Sequence, residues 1–265
     1  MASVAARVKQ ISKTQPYGGY VPVSMFERVK FTDEARIYPN ENISGSLTGT
    51  VVDYLTRFMT GTQKEQAFIL PMRGAVIADK YVHGELEAAK SLFSGITGLD
   101  DVSIENACKL STFDRWIMEP PILAMFQEGH ESIVVQSDSG KNIRTFVERS
   151  INFFTKYGPV LKSGYMFPPD SPACTSEVDS GIMDYLTADT IWDMKCYRPS
   201  TKISKDDTLQ VLMYWIMGQH SGQEIFSGIT KIGLYNPRFN VAYTLDVAKI
   251  PASVIREVEE KVICY

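Results

Sequence analysis

Two periodicities divide the second half of this chain. From Asn142 to Tyr157 the apolar residues Ile143, Phe146, Val147, Ile151 and Phe154 recur three and four apart, with Ser150 in the same stripe. That spacing predicts an amphipathic helix, ended by Gly158-Pro159. The rhythm then shortens. Leu161–Phe167 and Thr175–Val178 read as strands, with the loop residues Pro168, Pro169, Asp170 and Pro172 between them. Ile182–Leu186 and Thr190–Lys195 are rich in β-branched and aromatic residues and predict a hairpin. Helical spacing returns at Thr208–Gly218, where Leu209, Leu212, Met213 and Ile216 form an apolar stripe behind a cap at Asp206 or Asp207. Ile229–Tyr235 and Phe239–Leu245 follow as strands about the turn Asn236-Pro237-Arg238. Ile250–Ile263, opened by Pro251, closes as an amphipathic helix. This order of elements suits an α/β sandwich around a mixed sheet.

The first half patterns differently. Residues 1–45 contain Tyr17-Gly18-Gly19-Tyr20 and few periodic stretches, and are expected to form an extended arm or a strand-rich wrap. Helical spacing appears over Ser46–Thr60, over Gly74–Gly95 as one long helix, and over Ser103–Thr112. Phe113-Asp114-Arg115-Trp116 reads either as a strand or as a base-stacking site, with core packing the default role for Trp116. Gly129-His130-Glu131 carries no required role. The expected division is a mostly helical extension over residues 1–141, packed on a core over 142–265.

The hairpin concentrates the chemistry. A turn about Ala188-Asp189 pairs Leu186 with Ile191, Tyr185 with Trp192 and Asp184 with Asp193. Alternation puts Asp193 and Lys195 on one face and Met194 on the other. Two carboxylates brought this close repel unless something neutralises them. Mg²⁺ or Mn²⁺ would do so, since hard ions prefer oxygen ligands and keep waters. Such an ion would lower the pKa of a bound water, and Lys195 would orient that water or steady developing charge. A surface hairpin with two solvated acids and a lysine is the plainer reading of the same residues. Downstream, Gln210 and Tyr214 stand four apart beside a buried stripe and need hydrogen-bond partners, from nearby backbone, from the metal site or from nucleic acid.

The combined spacing, G-x-x-D at Gly181–Asp184, then D-x-K at Asp193–Lys195, then Q-x-x-x-Y at Gln210–Tyr214, resembles the PD-(D/E)XK nuclease superfamily in its RecB-like branch. The resemblance spans roughly residues 142–265 and leaves the first half unexplained. Met183 stands where the name-giving proline would be. The resemblance implies a restriction-endonuclease-like core, with a central mixed sheet flanked by helices. It makes Asp184 and Asp193 the metal-binding acids, Lys195 the catalytic lysine, and Gln210 and Tyr214 accessory site residues. It also makes Glu148, on the helix before the sheet, the candidate for a third metal-facing acid, although an ordinary exposed glutamate fits there equally well. The implied activity is Mg²⁺- or Mn²⁺-dependent hydrolysis of DNA. The alternatives are a noncatalytic nucleic-acid- or protein-binding member of the fold, or a nuclease acting on RNA.

Composition narrows the partners. Cys108, Cys174, Cys196 and Cys264 show no C-x-x-C spacing, and His83, His130 and His220 are scattered, which argues against zinc and iron–sulfur sites. No opening leader pattern and no membrane-length apolar run are seen, so a cytoplasmic location is the expectation. The net charge is −4, and residues 142–265 carry 13 basic and 14 acidic side chains. That balance lacks the strong basic footprint of a tight DNA binder. It points to modest nonspecific affinity, or to a homo-oligomer or protein partner that supplies basic surface. Lys202, Lys205 and Arg238 are the phosphate-contact candidates, each equally readable as a solvated surface charge.

Overall fold

The computed structural model describes residues 2–119, 121–196 and 202–265. In chain order its elements are β1 (Ala2–Ser3), α1 (Val4–Ile11), β2 (Glu27–Lys30), α2 (Gly45–Met59), α3 (Lys64–Ala67), α4 (Ile69–Ala78), α5 (Glu85–Ser94), α6 (Asp101–Ser111), α7 (Arg115–Met118), α8 (Pro121–Ala124) and α9 (Ser137–Tyr157). After these come β3 (Lys162–Met166), β4 (Val178–Ser180), β5 (Ile182–Leu186), β6 (Thr190–Met194), α10 (Lys205–His220), β7 (Lys231–Asn236), β8 (Val241–Asp246) and α11 (Ala252–Val258). The chain is α/β, with a mixed six-stranded central sheet flanked by helices. No helix is long and apolar enough to cross a membrane.

Two compact units are present. The first comprises residues 2–32, 154–195 and 202–265; the second comprises 33–119, 121–153 and Cys196. The boundary thus falls inside α9, and the opening 32 residues belong with the sheet rather than with the helical unit.

In the first unit the strand order is β2-β8-β7-β6-β5-β3. Within this sheet, among the described residues, only β6 and β7 pair in parallel, joined by the crossover helix α10, and the other neighbours are antiparallel. A parallel step needs such a crossover, whereas hairpins do not. The β5–β6 register is the expected one at two positions, Tyr185 with Trp192 and Leu186 with Ile191. Beyond them the ladder opens. Asp184 turns its carboxylate to accept the Met194 N–H at 2.8 Å.

The two sheet faces are packed differently. On one, Tyr185, Trp192 and Tyr235 meet the aromatic residues Phe154, Tyr157 and Phe31, with Phe154 and Tyr185 centroids 4.6 Å apart. Gly233 lies under this layer, where a Cβ would sit 2.4 Å from the Trp192 ring. The other face is covered by α10. Its predicted stripe, Leu209, Leu212, Met213 and Ile216, is fully buried, and so are Val211 and Met217. α10 is therefore enclosed on more than one side, because α1 packs against it through the core residues Val4 and Val8. An amphipathic pattern could not show this second covering layer. The opening segment is thus not simply an extended arm. It supplies that helix, and β2 pairs as an edge strand with β8.

Several boundaries move. Ser204, not Asp206 or Asp207, is the N-cap of α10, which begins three residues earlier than the apolar stripe indicates. The Thr175–Val178 run contributes only its end, to β4, which pairs in parallel with β1. The closing helix changes at Glu259 from α to a π turn over Glu259–Ile263.

The second unit is helical. The long helix expected over Gly74–Gly95 is instead two, α4 and α5. Between them the Asp79 carboxylate accepts the Gly84 and Leu86 N–H groups, and Gly84 adopts φ 95°, a value that favours glycine. Phe113–Trp116 is helical rather than a strand. Trp116 is buried and stacks on Tyr81 at 5.8 Å, which is the core role. His130 pairs with Glu85 at 3.2 Å. The Tyr54 hydroxyl donates to Asp114 at 2.7 Å, and burial pushes the Asp114 carboxyl up to about 7.

Candidate active site

Four of the sequence-chosen residues meet at the end of β6. Strand alternation aims Asp193 and Lys195 at α10, and helical spacing aims Gln210 and Tyr214 back at the sheet. The Lys195 ammonium lies 2.6 Å from Asp193 Oδ2 and donates to Gln210 Oε1 at 3.0 Å. Gln210 Nε2 donates both to Asp193 Oδ1, at 3.2 Å, and to the Tyr214 hydroxyl, at 3.1 Å. This amide orientation places an acceptor on the lysine and donors on the acid and phenol, so every contact is complementary. The i, i+4 pair of the helix thereby ties the D-x-K strand into one network.

Burial sets the electrostatics. Asp193 is 2% exposed and Lys195 is 7% exposed, whereas Asp184 and Gln210 are half-buried. Burial pushes the Asp193 carboxyl up to about 7, helped by the nearby charges of Asp184 and Asp207 and opposed by Lys195. The Tyr214 phenol is likewise raised, first by burial and then by Asp193 and Asp184. Asp193 Oδ2 is buried with no aligned hydrogen-bond donor; its contact with Lys195 is an ion pair of poor hydrogen-bond angle.

A residue outside the expected set belongs here. Asp207 is 2% exposed, and its Oδ1 lies 3.9 Å from the Lys195 ammonium. Its Oδ2 closes a capping box by accepting the Ser204 N–H at 2.7 Å and hydroxyl at 2.8 Å. From sequence it reads as a cap. Its position three before Gln210, on the same side of the helix, was the available signal.

Gly181, the glycine of the G-x-x-D run, is a close-packing position. A Cβ there would lie 2.9 Å from Val4 and 3.2 Å from the Tyr214 ring. Glu148 is exposed and sits on the part of α9 that belongs to the second unit, so it is not among the residues the first unit brings together. Lys202 is exposed, Lys205 and Arg238 are half-buried, and Arg238 occupies the β7–β8 turn. Of two clefts, of about 630 Å³ and about 310 Å³, the first is lined in part by Lys202, and neither is lined by Asp184, Asp193, Lys195, Gln210 or Tyr214.

Among the described residues, no group of three or more His, Cys, Asp or Glu side chains is gathered into a metal cage. The donors Asp184 and Asp193 nevertheless fit a hard ion that keeps several waters, since such ions are commonly held by one or two carboxylates. The unsatisfied Asp193 Oδ2 is the atom that an ion would engage. No protein-family model, no curated protein and no solved structure matches the chain.

Proposed function

We propose that the chain is a metal-dependent nuclease that hydrolyses DNA phosphodiester bonds, built on a restriction-endonuclease-like core of the PD-(D/E)XK, RecB-like kind. The observation that carries this reading is the closed network joining Asp193, Lys195, Gln210 and Tyr214, with Asp184 beside it. A hairpin followed by a parallel crossover, β5–β6–α10–β7, suits that core.

Asp184 and Asp193 would hold Mg²⁺ or Mn²⁺, which when bound acidifies a coordinated water and offsets charge on the scissile phosphate. The remaining work falls to the protein. Lys195 presents a cation whose position is fixed from two sides, by Asp193 and by Gln210, and so needs no reorganisation to face a developing negative charge. Gln210 holds the acid and the lysine in register, and Tyr214 buttresses Gln210. Asp184, half-buried, is the acid most accessible to substrate.

The competing reading is a noncatalytic binding protein of the same architecture. It draws on the 2.6 Å contact of Asp193 with Lys195, which a purely structural ion pair would also show. Cleavage of linear and circular DNA, single- and double-stranded, with Mg²⁺, Mn²⁺ or EDTA separates the two. Metal-dependent cutting that is lost in Asp193→Ala and Lys195→Ala proteins is the expected result. Full activity in a folded Lys195→Ala protein would refute its role. A preference for RNA would keep the chemistry and change the substrate.

A further inference from the structure

Asp193 and Lys195 meet through the oxygen that a metal would need. Asp193 Oδ1 already accepts the Gln210 amide at 3.2 Å, so Oδ2 is the ligand atom that remains. The Lys195 ammonium lies 2.6 Å from that same Oδ2, at an angle that leaves the oxygen without an aligned donor. An aligned hydrogen bond goes instead to Gln210 Oε1 at 3.0 Å. The contact with Asp193 is thus one of charge. A dication and an ammonium repel, and they repel strongly where burial keeps water from screening them. The two cations therefore compete for one oxygen.

A displaced ammonium needs another anion here. Lys195 is buried, and a buried charge without a partner is costly. Asp207 is within reach on the helix side. Its Oδ2 is pinned by the Ser204 N–H at 2.7 Å and hydroxyl at 2.8 Å, which fixes the carboxylate with Oδ1 3.9 Å from the lysine. That gap is too long for a hydrogen bond, and a shift of about 1 Å closes it. The lysine stem is flexible and its head carries three rotatable donors, so small torsional changes cover the distance while the Gln210 contact persists. After the shift each acid faces a cation: Asp184 and Asp193 the metal, Asp207 the ammonium.

We propose that Lys195 is an internal counter-ion, which occupies the metal position on Asp193 in the metal-free chain and passes to Asp207 when Mg²⁺ or Mn²⁺ binds. Asp207 is thus a positioning residue. It receives the ammonium and, with Gln210, holds it ready for the charge that develops at the phosphate. The exchange is complete on loading, before the chemical step, so the lysine is again fixed from two sides when the reaction begins. The proposal rests on the nuclease reading with its metal site, and concerns how that site is loaded.

The test is Mn²⁺ binding, followed by electron paramagnetic resonance of the free ion, with the full chain and no DNA. Wild type, Asp207→Asn, Lys195→Met and the double variant form a double-mutant cycle, with Asp193→Asn as the control that loses the site. Asparagine keeps an acceptor for Ser204 and removes the receiving anion; methionine keeps most of the stem and removes the competing cation. Lys195→Met is expected to bind Mn²⁺ at least about tenfold tighter than the wild type. Asp207→Asn is expected to bind about tenfold more weakly, a loss that shrinks to within about twofold when Lys195→Met is also present. An equal loss in both backgrounds makes Asp207 only a nearby anion and overturns the exchange. A Mn²⁺-loaded crystal structure of the wild type should place the Lys195 ammonium within hydrogen-bond distance of Asp207 Oδ1; an ammonium still on Asp193 Oδ2 overturns the exchange as well. Either of those failures leaves the metal site standing. A wild type that binds no Mn²⁺, or binds it no better than Asp193→Asn, overturns the metal site and the exchange together.

Discussion

Replacing Asp193 by asparagine should stabilise the fold while abolishing cleavage, and the size of the gain should depend on pH. In the unfolded chain this carboxyl ionises near 3.8, whereas in the folded protein burial holds it protonated up to about 7. Between these values the folded state binds one proton more than the unfolded state, so stability is full below about pH 4 and is lost as pH rises through about 7. At 1.36 kcal/mol per unit, the loss by pH 8 is on the order of 4 kcal/mol. Asparagine cannot ionise, so the variant escapes that loss. It leaves the Lys195 ammonium with Gln210 at 3.0 Å and Asp207 at 3.9 Å, which lowers the gain by an offset of about 1 to 2 kcal/mol. Urea unfolding of both proteins in EDTA from pH 5 to 8 measures the difference, and titrations common to both cancel. The variant-minus-wild-type stability should climb with pH by up to about 1 kcal/mol per unit and level off above 7. A flat difference would show that Asp193 is not strained. A difference that falls with pH would show that the Lys195 ion pair outweighs burial, and would reverse the reasoning.

Two further outcomes follow from the same network. Asp207→Asn keeps an acceptor for the Ser204 N–H but removes the anion that faces Lys195; it should lower kcat about tenfold while costing less than about 1 kcal/mol of stability, and wild-type kcat would confine Asp207 to capping. Gly181→Ala drives a methyl against Val4 and the Tyr214 ring, which should cost about 1 to 3 kcal/mol in urea unfolding and reduce cleavage further than stability alone explains; an unperturbed protein would mean that the ring and α1 move aside freely.

The strands and the D-x-K hairpin were legible because their information is local. Alternation and a four-residue turn determine which side chains face α10, and the Tyr185–Trp192 and Leu186–Ile191 pairs follow from that count alone. Gln210 and Tyr214 were legible for the same reason, since i, i+4 spacing beside a buried stripe demands partners. What escaped is non-local. Nothing in the Val4–Ile11 pattern says that this helix will cover α10, nor that Glu27–Lys30 will extend a sheet whose other strands begin at Lys162. Those pairings depend on tertiary packing. The split of the Gly74–Gly95 stretch was hidden by apolar spacing that runs on past Asp79. The decisive residue, Gly84, looks permissive until its φ is known.

The same distinction explains why Asp207 was read as a cap and Glu148 as a site acid. A carboxylate in the first turn of a helix satisfies N–H groups whether or not anything else is near it, so its sequence context is already complete. Only the convergence of strand end and helix start brings its second oxygen to Lys195. Glu148 is the converse case, since its candidacy came from analogy with a helix position and nothing local required it. The structure gives the two acids opposite surroundings, one buried against a lysine and the other exposed to solvent. If the lysine is catalytic, the acid that shapes its surroundings on the helix side is therefore Asp207. The D-x-K motif then extends in space, from strand to helix cap, to a lysine held between two buried aspartates.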